Sequence, residues 1–144
     1  MKHEIAKLMI ATMVVDSDID ERESRVIKRN IQILGITGIE YDELLSEAKE
    51  INGFDDFLDW IQPALDNLIE RNDPTQSSLA LASMILVAYA DDKIKKVEAD
   101  FIQSTASILG LPRPTLSSKK WIRDALAREF SSRIRKKINN TDNE

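Results

Sequence analysis

Apolar residues recur at helical spacing along most of the chain, and no stretch sustains the alternation that is typical of a strand. The spacing predicts helices over about residues 4–15, 20–34, 41–51, 55–71, 74–90, 95–109 and 117–138. Asp20 and Asp73 are predicted N-caps, while Gly35 and Gly110 follow the last periodic residues of their helices. The sequence therefore predicts an all-α fold, a bundle of about seven helices.

Two of these helices have distinctive patterns. The helix over 74–90 is hydrophobic on nearly all sides, which predicts a central position in the bundle. The helix over 55–71 contains Pro63, which lacks a backbone donor and is expected to kink or split it.

The chain also contains an internal repeat. Shifting the sequence by 75 places aligns residues 10–36 with residues 85–111 without a gap, with eight identities over 27 positions. The identical pairs are Ile10/Ile85, Asp16/Asp91, Ile19/Ile94, Glu23/Glu98, Ile27/Ile102, Ile33/Ile108, Leu34/Leu109 and Gly35/Gly110. Each copy is predicted to be a helix, a short acidic loop and a second helix. We expect the two copies to be related by a pseudo-twofold axis that brings their loops together.

Composition excludes several kinds of site. The 144 residues suit one domain. The absence of cysteine excludes disulfides, thiolate metal sites and cysteine nucleophiles, and it fits a reducing compartment. His3 is the only histidine, so histidine-based triads and multi-histidine zinc sites are excluded as well.

The sequence VVDSDIDERE, residues 14–23, places five carboxylates within eight positions. A helix N-terminus accounts for Asp20, Glu21 and Glu23, because its dipole favours negative charge. The dipole instead opposes Asp16 and its repeat partner Asp91, which follow the ends of helices, so both need a compensating positive charge. Two interpretations remain open at this point, a purely structural set of helix ends in water and a bound cation.

Carboxylates are the ligands that Ca²⁺ and Mg²⁺ prefer, so the second interpretation predicts a divalent cation site. The candidate ligands are Asp16, Asp18, Asp20 and Glu23 in the first copy and Asp91, Asp92 and Glu98 in the second. The spacing is not that of an EF-hand, because Glu21 and Ile27 stand where that loop requires Gly and a bidentate Glu. Lys93, Lys95 and Lys96 reduce the negative charge of the second loop, so the first is expected to bind more tightly.

The repeated unit D-x-x-I-x-x-x-E…L-G-[IL], best seen in ALASMILVAYADDKIKKVEADFIQSTASILGLP, resembles the TerB-like domain of bacterial tellurite-resistance systems. The resemblance covers roughly residues 5–112, and Ser17 and Asp92 stand where the family usually has glycine. It implies a pseudo-symmetric bundle of about seven helices and an acidic cluster that binds divalent metal. It also implies a role in tellurite or stress resistance beside partner proteins, some of them at the membrane.

Charge divides the chain into an acidic body and a basic end. Residues 1–112 carry a net charge of −10 and residues 113–137 a net charge of +7. Within residues 113–144, Ile122, Leu126, Phe130, Ile134 and Ile138 follow one another at intervals of four. This amphipathic helix is expected to dock on the domain formed by residues 1–112. An anionic membrane or an acidic partner is the alternative. The acidic body argues against nucleic acid.

These observations together favour a non-enzymatic interaction or metal-responsive module that acts through protein partners, with a divalent cation at the acidic loops as one of the two open interpretations. The apolar run over 8–15 is interpreted as a core helix, so the location is expected to be cytoplasmic, or peripheral to the inner membrane. A metal-independent scaffold and a metal-dependent hydrolase are the alternatives, and dimerisation through the basic end is left open.

Overall fold

A computed structural model describes residues 2–16, 20–90 and 94–114 of the chain. These residues form six helices and no strand, which confirms the all-α prediction. The helices are α1 (Lys2–Val14), α2 (Glu21–Leu34), α3 (Gly38–Lys49), α4 (Phe54–Arg71), α5 (Pro74–Ala88) and α6 (Lys96–Ile108). The helix predicted over 117–138 lies outside the described residues. None of the described helices is long and apolar enough to cross a membrane.

Local hydrogen bonds fix the helix ends that the sequence predicted. Asp20 accepts a hydrogen bond from the backbone N–H of Arg22 at 2.7 Å, and Asp73 accepts one from Thr75 at 3.0 Å. Each carboxylate therefore caps the helix that follows it. Gly35 ends α2 with a φ of 82°, a left-handed conformation that glycine adopts without steric cost.

Helices α1 and α5 form the centre of the bundle. α5 is buried along most of its length, as its apolar pattern predicted, and α1 packs against each of the five other helices. The central position of α1 depends on its small residues, since Ala6, Ala11 and Thr12 are fully buried beside the larger apolar side chains. The Thr12 hydroxyl is satisfied inside its own helix, because it donates to the Leu8 carbonyl at 2.8 Å.

Helix α4 passes through Pro63 as a single element, so of the predicted kink or split, the split does not occur. Pro63 is exposed, and the carbonyl of Asp59, which loses its helical partner, lies on the same outer side and can bind water instead. The inner side of α4 holds Phe57, Ile61 and Leu65 against the core. Burial of this apolar side outweighs the one hydrogen bond that proline removes.

Helix directions place three helix ends together. α4 runs antiparallel to α1, because Asn67 near the end of α4 donates to Glu4 near the start of α1 at 3.1 Å. α2 and α6 both begin beside the end of α1, where Ile27 and Ile102 are fully buried near the first turns of their helices. Asp16, at the end of α1, consequently lies near the N-termini of α2 and α6.

Candidate functional site

An ion pair joins the end of α1 to the start of α6. The Lys95 ammonium lies 2.6 Å from a carboxylate oxygen of Asp16, and the two side chains are 37% and 10% exposed. Asp16 opposes the dipole at the end of α1, and Lys95 supplies positive charge at that point. The hydrogen bond to Asp16 raises the pKa of Lys95 further above its ordinary value, so the ammonium stays charged.

Two glutamates lie behind this ion pair in the interior. Glu23 is 1% exposed and Glu98 is fully buried, and the two side chains form a hydrogen bond with each other. Glu98 also accepts a hydrogen bond from the backbone N–H of Lys95 at 3.1 Å. The Oε2 atoms of both glutamates are buried without a hydrogen-bond donor. Ionisation of both groups would therefore leave adjacent negative charges inside the protein.

Burial is the main cause of the perturbed acidity of this pair. It raises the pKa of Glu23 to about 9, and the negative charges of Glu98 and Asp16 act in the same direction. Burial likewise raises the pKa of Glu98 to about 7, against the lowering effect of the Lys95 backbone N–H. The pair therefore retains at least one proton near neutral pH.

The remaining predicted ligands divide into two groups. Asp20 lies at the start of α2, where it caps the helix and contacts the Arg22 guanidinium at 3.4 Å. The hydrogen bonds from Arg22 lower the pKa of Asp20, so this carboxylate is ionised. Asp18, Asp91 and Asp92 lie outside the described residues. The described structure therefore brings Asp16, Glu23 and Glu98 together and places Asp20 at a helix cap.

The donor set has a definite chemical preference. Asp16, Glu23 and Glu98 offer carboxylate oxygens alone, which suit a proton, an ammonium group or a hard divalent cation. Within residues 2–16, 20–90 and 94–114, no group of three or more histidine, cysteine, aspartate or glutamate side chains has an arrangement that could hold a metal ion. Three carboxylates do not by themselves complete the coordination sphere of Ca²⁺ or Mg²⁺, which takes about six or more oxygens.

Lys95 is a site residue whose partner sequence reasoning missed. Its charge was expected to weaken cation binding in the second loop, and in the structure its ammonium pairs with Asp16, 79 residues earlier. The repeat contained a signal for this contact, because Lys95 occupies the position that Asp20 has in the first copy. An acid-to-base exchange between two loops that are expected to meet indicates a bridge from one copy to the other.

Comparison with known proteins identifies the family of the chain. The family model for tellurite resistance protein TerB matches residues 2–120, which is most of the chain. Searches among curated proteins and among solved structures gave no match. On the extent of the family match, the chain belongs to the tellurite resistance protein TerB family.

Proposed function

We propose that this TerB-family domain is a divalent-cation-responsive binding module whose cation site includes Asp16, Glu23 and Glu98. The observation that carries the proposal is the buried glutamate pair, in which two Oε2 atoms lack a donor beside a third carboxylate. Ca²⁺ or Mg²⁺ would satisfy oxygens that water does not reach. Asp18, Asp91 and Asp92 are candidates for the remaining ligands.

Cation binding and protonation exclude each other at these carboxyl groups. A bound divalent cation requires Glu23 and Glu98 in the ionised form, so binding releases the proton that the pair otherwise holds. Lys95 would then share Asp16 with the cation or turn its side chain, which is 37% exposed, toward solvent. Cation affinity is therefore expected to increase with pH.

The test is the unfolding free energy of EDTA-treated protein with added Ca²⁺ or Mg²⁺ at constant ionic strength. A cation that binds only the folded state at a hundredfold excess over its Kd stabilises it by about 2.7 kcal/mol. We expect a rise that is selective for one ion and larger at pH 8 than at pH 6. Glu98→Gln and Asp16→Asn should each abolish it.

Glu21→Gln is the matched control, because Glu21 lies two residues before Glu23 in the same helix and its side chain is 91% exposed. This variant should keep the full response to the cation. A response that is the same for all salts, or that survives Glu98→Gln, contradicts the proposed site.

A metal-independent scaffold is the second candidate, and the Asp16–Lys95 ion pair favours it. Lys95 already supplies the positive charge that Asp16 requires at 2.6 Å, and one shared proton suffices for the two glutamates. This candidate predicts no ion-selective change in stability at any pH. The unfolding experiment therefore decides between the two functions.

Under this proposal the acidic site binds a cation but does not catalyse a reaction. Glu23 and Glu98 are at most 1% exposed, so a phosphoester could not reach them, whereas a single ion is far smaller. Hydrolysis of a phosphoester by the purified protein with Mg²⁺ or Mn²⁺ would contradict this statement. The role in tellurite or stress resistance is proposed to operate through protein partners, in the cytoplasm or at the inner membrane. Co-purification from cells with and without EDTA tests whether those partners require the cation.

A further inference from the structure

Helices α4 and α6 are in contact near their starts, and we call the surface between them, bordered by Leu58, Ile69, Val97 and Ile108, the α4–α6 groove. The rings of Phe57 in α4 and Phe101 in α6 meet edge to face, with centroids 5.4 Å apart. Phe57 and Phe101 lie near the starts of their helices, so α4 and α6 begin at the same end of the bundle and extend along α1. The contact also identifies the sides of the two helices that face each other.

Large apolar side chains line this groove without being covered. On α6, Val97 and Ile108 lie 4 residues before and 7 residues after Phe101, which places all three on the side facing α4. On α4, Leu58 and Ile69 are 11 residues apart and share one side of the helix. Leu58, Ile69, Val97 and Ile108 are 39–50% exposed, which is high for four large aliphatic residues beside one groove.

The side of α4 that bears Leu58 faces away from α3. Trp60 is on the opposite flank of α4, where its indole N–H donates to Glu47 of α3 at 3.5 Å. α3 therefore contacts α4 on the flank of Trp60, whereas Leu58 on the other flank is 39% exposed.

We propose that the chain's own segment 117–138 binds in this groove, antiparallel to α4 and α6. The described part of the chain extends to residue 114, six residues beyond the end of α6 at Ile108. A helix that starts near residue 117 would therefore enter the groove at the Ile69–Ile108 end. Its 22 residues would extend about 33 Å, which is enough to cover the whole of α4, about 27 Å long.

Both faces of the segment fit this position. Its apolar residues at intervals of four form one continuous stripe, the pattern of a helix that lies in a groove. Its charge is complementary to α4, which carries Asp55, Asp56, Asp59, Asp66 and Glu70 but only Arg71 as a base. The antiparallel orientation brings the basic cluster over 133–137 toward the acidic start of α4. The same acidic helix would repel an anionic membrane surface.

Nitroxide labels on the full-length protein test the proposal. The sequence has no cysteine, so Ser117→Cys and Ser132→Cys each provide one attachment point. A label at 117 should broaden the NMR signals of Ile69 and Ile108, and a label at 132 those of Leu58 and Val97. Broadening at opposite ends of the groove, or on another face, would overturn the assignment.

Variants and mixing experiments identify the occupant. Leu58→Ser together with Val97→Ser should abolish the broadening, and so should Phe130→Ser, a change within the segment itself. Ile39→Ser, at an exposed position on α3, should leave it intact. Broadening that passes from a labelled chain to an unlabelled one would assign the groove to a second copy. If broadening is absent in solution and the segment is protected from amide hydrogen exchange only when anionic vesicles are added, the segment binds the membrane instead. Each of these two results rejects the proposal.

Discussion

The buried glutamate pair predicts that the free energy of unfolding falls as the pH rises from 5 to 8 in the absence of divalent cations. Glu98 has a pKa of about 7 in the folded state, against an ordinary value of 4.5, and the pKa of Glu23 is raised as well. The folded state therefore binds more protons than the unfolded chain throughout this range. The stability that those protons contribute is fully present below pH 4.5, and it is lost as the pH rises through the folded-state pKa values of the two glutamates.

The shift of Glu98 alone sets the scale of the effect. A rise from 4.5 to about 7 corresponds to a loss of about 3 kcal/mol once Glu98 is ionised. The contribution of Glu23 has the same sign, but the two do not add, because each shift includes the charge of the other glutamate. The lowered pKa of Asp20 acts only in more acidic solution, so it does not oppose this trend.

Glu23→Gln should remove the loss of stability at high pH. The introduced amide cannot ionise, it can donate to the Glu98 carboxylate, and it removes the repulsion between the two side chains. We expect a nearly constant unfolding free energy from pH 5 to 8, and at pH 8 a variant about 1–3 kcal/mol more stable than the wild type. Urea unfolding in EDTA at constant ionic strength, followed by circular dichroism, measures both quantities.

Glu21→Gln is again the control, and its pH dependence should parallel that of the wild type. A wild-type stability that is flat or that increases from pH 5 to 8 would show that the two glutamates do not share a buried proton. A Glu23→Gln variant with the wild-type slope would refute the reasoning equally, because the slope would then come from other groups.

Three further predictions concern the ion pair, the core and a helix cap. Lys95→Met should destabilise the fold more than Asp16→Asn does, by about 1–3 kcal/mol, because it leaves a carboxylate that is 10% exposed without its ammonium. Urea unfolding at pH 7 measures both variants, and a larger loss for Asp16→Asn would contradict the prediction. Ile102→Ala should cost about 2–5 kcal/mol through a cavity at a fully buried position, whereas Ile39→Ala, at 73% exposure, should change little; equal costs in thermal unfolding would mean that α6 does not pack as described. Asp73→Ala should lower the free energy of unfolding by about 1 kcal/mol because it removes the N-cap of α5, whereas Asp73→Asn should keep most of that stability. Equal losses for the two variants in urea unfolding would mean that Asp73 does not cap α5.

The described helices were accessible from the sequence because their signals are local. Asp73 before Pro74, and Gly35 after Leu34, specify helix ends by hydrogen bonds within a few residues, and the structure has those ends. The start of α3 was predicted three residues late, because Thr37 caps it through the backbone N–H of Glu40 in a stretch with little apolar periodicity. The split at Pro63 failed for the opposite reason, since a local rule was outweighed by tertiary burial along α4.

The candidate site could be predicted only in part from the sequence, because its contacts are long-range. The repeat marked Glu23 and Glu98 as equivalent positions, and the expectation that the two loops meet placed them near one another. Periodicity did not indicate that both side chains are buried, since a glutamate in the first turn of a helix is usually exposed. The pairing of Asp16 with Lys95 required knowledge of how α1 and α6 are placed in space, which no local pattern supplies.

One physical problem connects the proton, Lys95 and the proposed divalent cation. Asp16, Glu23 and Glu98 carry three negative charges when ionised, and Lys95, which pairs with Asp16 in the described part of the chain, carries one positive charge. At low pH protons neutralise the glutamates, so the site is stable without any ion. At high pH two negative charges remain, and either the fold loses stability or a divalent cation replaces the protons. The pH at which a cation begins to stabilise the protein is therefore set by the same glutamates that make the cation-free protein sensitive to pH. A cation that stabilises the domain equally at pH 5 and pH 8 must consequently bind elsewhere, even if the pH dependence of the cation-free protein is as predicted.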